Sequence, residues 1–400
     1  MNRPDNKPAA GYWSLVAGEP FRLLFPLGTV IGILGVLMWP LFFWHVTATY
    51  PGQMHARVMI EGYLTCFVAG FLGTALPRLL DVPRLTLAET FGIAIALAGA
   101  TALHLSRMAL WGDLLFSAGM GMFVLSLVLR LPKRRDVPPP AFVLVGLGLA
   151  CALAGAGSQI VFQISMTALP AWVVHFGRLL LHQGYILLPV MGVGAFILPR
   201  FFGLPSRQAF PESLALPPGW LPRAGFAVAC GAAVLASFGL ESAGMLRWAF
   251  ALRATAVTVY FLREIPAHRS AFRGGSLALG LRIALFSIPA GYAAMAVLPQ
   301  WAGALSHVVF ISGFSLLTFV VASRVVLGHS GQSAKFSASL RPVWILSSLL
   351  VVAMLTRVSA DWMPLVRTSH YAYAALAWAV GVVIWAATIL PSVRIPDSEE

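Results

Sequence analysis

The stretch HFGRLLLHQGY, residues 175–185, places two histidines and an arginine at the head of a run that otherwise reads as lipid-facing helix. Titratable side chains are costly inside a bilayer, so their presence there asks for a chemical reason. His175 and His182 are seven residues apart. On an α-helix that spacing returns them to one face but separates them by roughly 10 Å along the axis, so both cannot grip one ion from the same side. Arg178 lies on the same stripe and offers a forked donor to a carboxylate. The stripe suits two neighbouring centres, or one centre and its surroundings; the plain alternative is an arginine reaching the interface between two boundary histidines.

A second stretch repeats the theme with His55, Arg57, Met59 and Glu61. His55 and Met59 sit one helical turn apart, and a nitrogen with a thioether suits Cu(I) or haem iron. Methionine at helical spacing is more often plain core, so His55 is the stronger candidate. Arg57 and Glu61, at i and i+4, can neutralise each other, with a proton path through Glu61 as the other reading.

The elements that must position these groups follow from composition. The 400-residue chain is 59% hydrophobic and 10% charged, with a mean hydropathy of +0.83, which excludes an ordinary soluble domain and indicates an all-α, polytopic membrane protein in contact with the lipid bilayer. Apolar runs of about 20 residues, long enough to cross a bilayer, begin near residues 23, 54, 87, 110, 140, 174, 222, 245, 276, 304, 341 and 371, predicting twelve transmembrane helices. The first, Leu23 to Trp44, is too long for a signal-peptide core and stays as a span.

Most of the 27 basic residues fall in the amino-terminal tail and the alternate loops that share its side. This bias puts both termini in the cytoplasm of a bacterial inner membrane and accounts for the net charge of +13 without a nucleic-acid partner. The expected organisation is a cytoplasmic tail 1–22, a membrane domain 23–391 with a proline-rich inner loop 201–221 between spans six and seven, and a cytoplasmic tail 392–400. Cys66, Cys151 and Cys230 lie in apolar runs and show neither disulfide nor haem-attachment spacing, so any haem is non-covalent and b-type. No phosphate loop, HExxH or Ser-His-Asp set can be assembled, which excludes ATPase and hydrolase chemistry.

On this topology every histidine except His268 and His329 lands at the outer interface. Imidazole is the commonest protein ligand of haem iron and copper, and ligands in a bundle come from facing helices. His55, His175, His182 and His307 are therefore the leading haem or metal ligands, His104 and His370 the secondary ones, and Arg57 and Arg178 the partners for haem propionates. No residue is assigned to catalysis. Spans two, six and ten each run from histidine outside to arginine inside: His55 to Arg78, His175 or His182 to Arg200, His307 to Arg324. The four-span interval suggests three similar four-helix arcs, an order seen in the catalytic subunit of haem-copper oxidases, although span ten has one histidine where those use a close pair.

Two stretches carry a more specific likeness. MHARVMIEGYLTCFVAGFLGTALPRL, residues 54–79, and LSHVVFISGFSLLTFVVASRVVLGHSGQ, residues 305–332, resemble the two best-marked segments of the NnrS family. His55, Gly62, Ala69 to Leu72, Thr74, Ala75 and Pro77 fit the first; His307, Gly313, Arg324 and Leu327 to Gly331 fit the second, and LLPVMGVGAFILPRFFG is a weaker third. The chain departs from the family pattern where Arg57 replaces a second histidine, Val58 the glutamate after it, and Phe196 an arginine.

The resemblance implies haem and copper, and a role in nitric oxide resistance or denitrification. The expected function is to bind nitric oxide and, if the protein is an enzyme, to reduce it with electrons from a quinol or a donor protein. A proton-coupled transporter and a non-catalytic factor for metal-centre assembly are the alternatives. GHSG, residues 328–331, reads as a helix stop on the inner side, so His329 belongs to a separate inner site or contact.

Overall fold

A computed structural model describes residues 12–270 and 275–396. Arg3, Lys7, Arg273 and the ends of the two expected tails lie outside the described residues. Among those described there is no strand, as a chain crossing lipid requires unless it closes a barrel, because only a helix satisfies its own backbone groups.

After a short helix at Tyr12–Gly18 come α1 (Phe21–Phe43), α2 (Gly52–Leu79), α3 (Leu87–Leu105), α4 (Ala109–Lys133), α5 (Pro140–Ile164), α6 (Ala171–Phe202), α7 (Trp220–Ser242), α8 (Leu246–Glu264), α9 (Ser276–Val297), α10 (Pro299–Gly328), α11 (Arg341–Trp362) and α12 (Pro364–Arg394). All but α8 are long and apolar enough to span a membrane. The 19-residue α8 carries Arg247, Arg253, Arg263 and Glu264. Its fully buried Arg253 donates to Gln183 Oε1 at 2.7 Å, Ser237 Oγ at 2.9 Å and Glu241 Oε2 at 2.6 Å, and lies over the rings of Phe238 and Tyr292. A charge so paired is tolerable at depth. Lipid-facing positions keep large exposed apolar side chains such as Ile95, Trp248 and Phe286.

The boundaries have local causes. Thr86 caps α3 by accepting from the Glu89 backbone while Glu89 reaches back, a reciprocal capping box. Pro51 and Pro170 stand immediately before α2 and α6, and the left-handed conformation is taken by Gly219 just before α7 and by Gly244 between α7 and α8.

Helices adjacent in sequence pack side by side, and α4 meets α5, α8 meets α9, and α12 meets α1, so three four-helix arcs close into a ring. The members α2, α6 and α10 face one another inside it: Phe67 and Val68, Ile186 and Val193, and Leu317 and Val321 line one apolar cavity. Gly32 lets α1 approach; a β-carbon there would stand 2.9 Å from Trp378 and 3.0 Å from Tyr63.

These three inner helices share a distortion. Each contains a π-helical turn, at Val58–Leu64 in α2, Leu180–Gly184 in α6 and Val308–Ser315 in α10. A π-turn shifts the facing of all that follows and frequently marks a functional site. Here each lies just after, or contains, the inner-helix histidine.

At the other end of the bundle the helix ends are laced together. Glu19 is ion-paired with Arg22 at 2.5 Å, with Arg78 and with His329 Nδ1 at 2.5 Å; Arg22 also donates to the carbonyls of Val393 (2.6 Å), Ile395 (2.9 Å) and His329 (2.8 Å). Burial raises the affinity of the Glu19 carboxyl for a proton, but the His329 bond and the Arg22 guanidinium outweigh it and hold its pKa down to about 2. The loop after α6 also folds onto this end: Gln208 accepts from the Ala141 backbone and donates to Glu264, and Trp220 donates to the Pro138 carbonyl.

Candidate functional site

Beside the π-turns, at the end of the bundle away from Glu19, a cavity of about 330 Å³ opens between α1, α2, α6, α10, α11 and α12. His55, His182 and His307 line it, one from each inner helix. Its walls include Trp39, Tyr63, Phe310 and Trp378, with Tyr50, Ser306, Ser315, Arg357 and Tyr371 as further polar groups and no carboxylate.

Two of the imidazoles are fixed in one tautomer. His55 Nδ1 lies 2.9 Å from the Gly35 carbonyl and His307 Nδ1 lies 2.9 Å from the Gly303 carbonyl. A carbonyl oxygen can only accept, so both Nδ1 atoms carry hydrogen and both Nε2 lone pairs are left for a ligand. Metal-binding histidines are oriented in this manner by their second nitrogen. His182 makes no hydrogen bond among the described residues. The Arg357 guanidinium lies 4.0 Å from the Tyr371 ring centroid and 3.5 Å from Asp361.

A second cavity of about 380 Å³ adjoins the first, sharing Gly52, Ala56 and His182 with it. It is lined by Arg57, Glu61, Gln159, Gln163 and Arg178 as well. Behind it Glu61, His104 and Asp113 are all buried, with potential ligand atoms within 4.8 Å of one another. His104 Nε2 is 3.0 Å from Glu61 Oε2 and 3.7 Å from Asp113 Oδ1. Arg57 grips Asp113 with two prongs, 2.9 and 3.2 Å, and Gln163 donates to the same carboxylate at 2.6 Å. The helices meet this closely because Gly112 stands where a side chain would strike the His104 ring.

The candidate ligands thus divide. His55, His182 and His307 share one cavity, Arg57, Arg178 and His182 share the other, and His104 joins Glu61 and Asp113. His175 does not meet His182: it is 42% exposed, reaches Glu241 of α7 at 3.8 Å, and lines neither cavity. The π-turn at Leu180–Gly184 contains His182 and shifts its facing relative to His175 on the regular helix before it. His370 donates Nδ1–H to the Val366 carbonyl at 3.0 Å, one residue before Tyr371, but does not itself line the cavity. His329 lies at the opposite end with Glu19. Met59 fills the notch left by Gly35, its sulfur 2.8 Å from where a β-carbon there would be.

Three site groups escaped the reading of the sequence. Asp113 carried a signal: it is the sole acid in the apolar run of α4, and an acid inside a span is a functional candidate by default. Arg357 and Tyr371 gave none, because a basic residue and a tyrosine near a span end are ordinary boundary residues.

No curated protein matches the chain. A family model described as "NnrS protein" matches residues 15–396, nearly all of it. The helical bundle, the inner-helix histidines and this match leave the affiliation plain: the chain belongs to the NnrS family.

Proposed function

We propose that the protein binds haem and copper at the three-histidine cavity and there captures nitric oxide, in nitric oxide resistance or denitrification, within a bacterial inner membrane with both termini cytoplasmic. The observation that carries this is the pair of imidazoles held by backbone carbonyls with Nε2 free, facing a third imidazole across a cavity without carboxylates. Neutral nitrogens in apolar walls suit haem iron or copper; a hard oxygen-seeking ion such as Mg²⁺ or Ca²⁺ would want acids. The residues present therefore fit the groups that the family resemblance implies. His55, His182 and His307 would hold them. Arg57 is committed to Asp113, and Arg357 and the Tyr371 hydroxyl both meet Asp361, which leaves Arg178 as the guanidinium to meet a carboxylate of the bound group. A bound iron or copper would supply the Lewis-acidic centre for the gas, and a quinol or a donor protein would supply the electrons to reduce it.

The chain's own residues contribute binding and exclusion. Trp39, Tyr63, Phe310 and Trp378 give the cavity walls a neutral diatomic gas prefers over water, and the Gly35 and Gly303 carbonyls stop the two rings from turning away. The test is an absorption spectrum of the purified protein, oxidised and reduced, with metal analysis and nitric oxide titration, repeated on His55→Ala, His182→Ala and His307→Ala. A Soret band shifted by the gas and lost in these variants is expected. A colourless, metal-free preparation would turn the reading toward a proton-coupled carrier, for which the buried Glu61, His104 and Asp113 are the groups in place. Bound metal without turnover would point to metal-centre assembly.

A further inference from the structure

The cluster behind the second cavity has a charge that does not balance. Among the groups in contact, Arg57 is positive while Asp113 and Glu61 as carboxylates are negative, so with neutral His104 the cluster holds one negative charge beyond its contacting cation, with the exposed Arg178 standing across the cavity; Glu61, His104 and Asp113 are each at most 2% exposed. A net charge at that depth is expensive and is removed by binding something positive. Asp113 is satisfied at both oxygens by Arg57 and Gln163. The deficit therefore lies on the Glu61 and His104 pair, where two atoms have no hydrogen-bond partner: Glu61 Oε1, which is 4.0 Å from Arg57 Nε, and His104 Nδ1.

We propose that Glu61 and His104 together store one exchangeable proton, taken up at Glu61 Oε1 or His104 Nδ1 from water in the 380 Å³ cavity and returned to it. Only an O–H or N–H bond is made and broken. One proton brings the cluster to neutrality; a divalent cation would overshoot it to a net positive charge and would have to compete with the two-pronged Arg57 for Asp113. The cavity gives Glu61 its connection, because Glu61 lines it together with Gln53, Gln159 and Gln163. The charged and titratable groups facing the pair are Arg57 on its own helix, Asp113 on α4, and Arg178 and His182 of α6 across the cavity. His182 also lines the three-histidine cavity, so the store lies one side chain from it. Reduction of nitric oxide to nitrous oxide and water consumes one proton with each electron, so on the reading proposed above this store supplies that centre; the storage itself does not depend on that reading.

The experiment is pH-difference infrared spectroscopy of the full-length protein in lipid nanodiscs, without nitric oxide, on wild type, Glu61→Gln, His104→Gln and the exposed-loop control Glu212→Gln. Wild type and control should show a buried carboxyl C=O band or an imidazolium ring band that changes with pH and shifts in D₂O, and Glu61→Gln and His104→Gln should each lose it. Circular dichroism confirms folding; should one variant fail to fold, the other decides. Superimposable spectra for wild type and the folded variant would overturn the proposal. So would one bound divalent ion per protein that Asp113→Asn abolishes. A pH-dependent band in a colourless preparation keeps the store and discards the haem reading; a Soret band without it does the reverse.

Discussion

The two ends of the bundle use the same side chains to opposite effect. At one end Glu19, Arg22, Arg78 and His329 form a cluster in which the carboxylate is paired by three partners and the Arg22 guanidinium also reaches three backbone carbonyls. At the other, Arg57, Glu61, His104 and Asp113 offer the same residue types, yet one carboxylate oxygen and one ring nitrogen are buried without partners and the cluster borders a cavity. Satisfied polar groups fasten the ends of α1, α2, α10 and α12. Unsatisfied ones beside space are available for chemistry. Residue type does not distinguish the ends; saturation does.

The largest effect expected is on the open end. Replacing a proposed ligand imidazole, as in His55→Ala or His307→Ala, should lower metal occupancy by more than the roughly 10–100-fold typical of losing an outer-shell partner, read by metal analysis and absorption, while circular dichroism stays native. The complementary change is Arg22→Met at the closed end. It leaves Glu19 and three carbonyls short of a donor in a buried site, and breaking a buried pair costs about 3–5 kcal/mol. Thermal unfolding in detergent should register this, with the absorption of any bound haem unchanged below the transition. If Arg22→Met spared stability but bleached the spectrum, the division between the ends would be wrong.

A smaller effect tests the packing that creates the open cluster. In Gly112→Ala the new methyl group meets the His104 ring, and overpacking of this kind costs about 1–3 kcal/mol. The variant should also disturb the pH-dependent infrared band, whereas an alanine at Gly121, where nothing lies within 4 Å, should do neither.

How far the sequence foretold this arrangement depended on whether a feature was local. Hydropathy runs located the helices, since each needs only its own length and apolarity. The recurrence of histidine at the start of spans two, six and ten pointed to the inner ring, because the repeat was visible at fixed intervals. The π-turns were not legible, since no residue spacing marks where a helix widens by one residue, and without them His175 and His182 read as one stripe. Asp113 is legible as a lone acid in an apolar run, but only the fold brings it to His104 and Glu61. Arg357 belongs to the site only because α11 packs against α10 and α12 and brings it to the cavity, a long-range fact that no spacing encodes.

The last and smallest effect concerns pH at the closed end. The folded protein holds the Glu19 pKa at about 2 against 4.5 for the free side chain, so folding favours the ionised form. A group depressed in this way contributes stability fully above the unfolded value and loses it as pH falls through 4.5 toward 2. The difference in unfolding temperature between wild type and Glu19→Gln should therefore shrink progressively as the pH falls below about 5. Arg22, Arg78 and His329 face the carboxylate. Arg22 and Arg78 stay charged throughout that range, so the shrinkage follows Glu19 itself. A gap that widened on acidification would mean the carboxylate is held protonated, and the closed end would then resemble the open one.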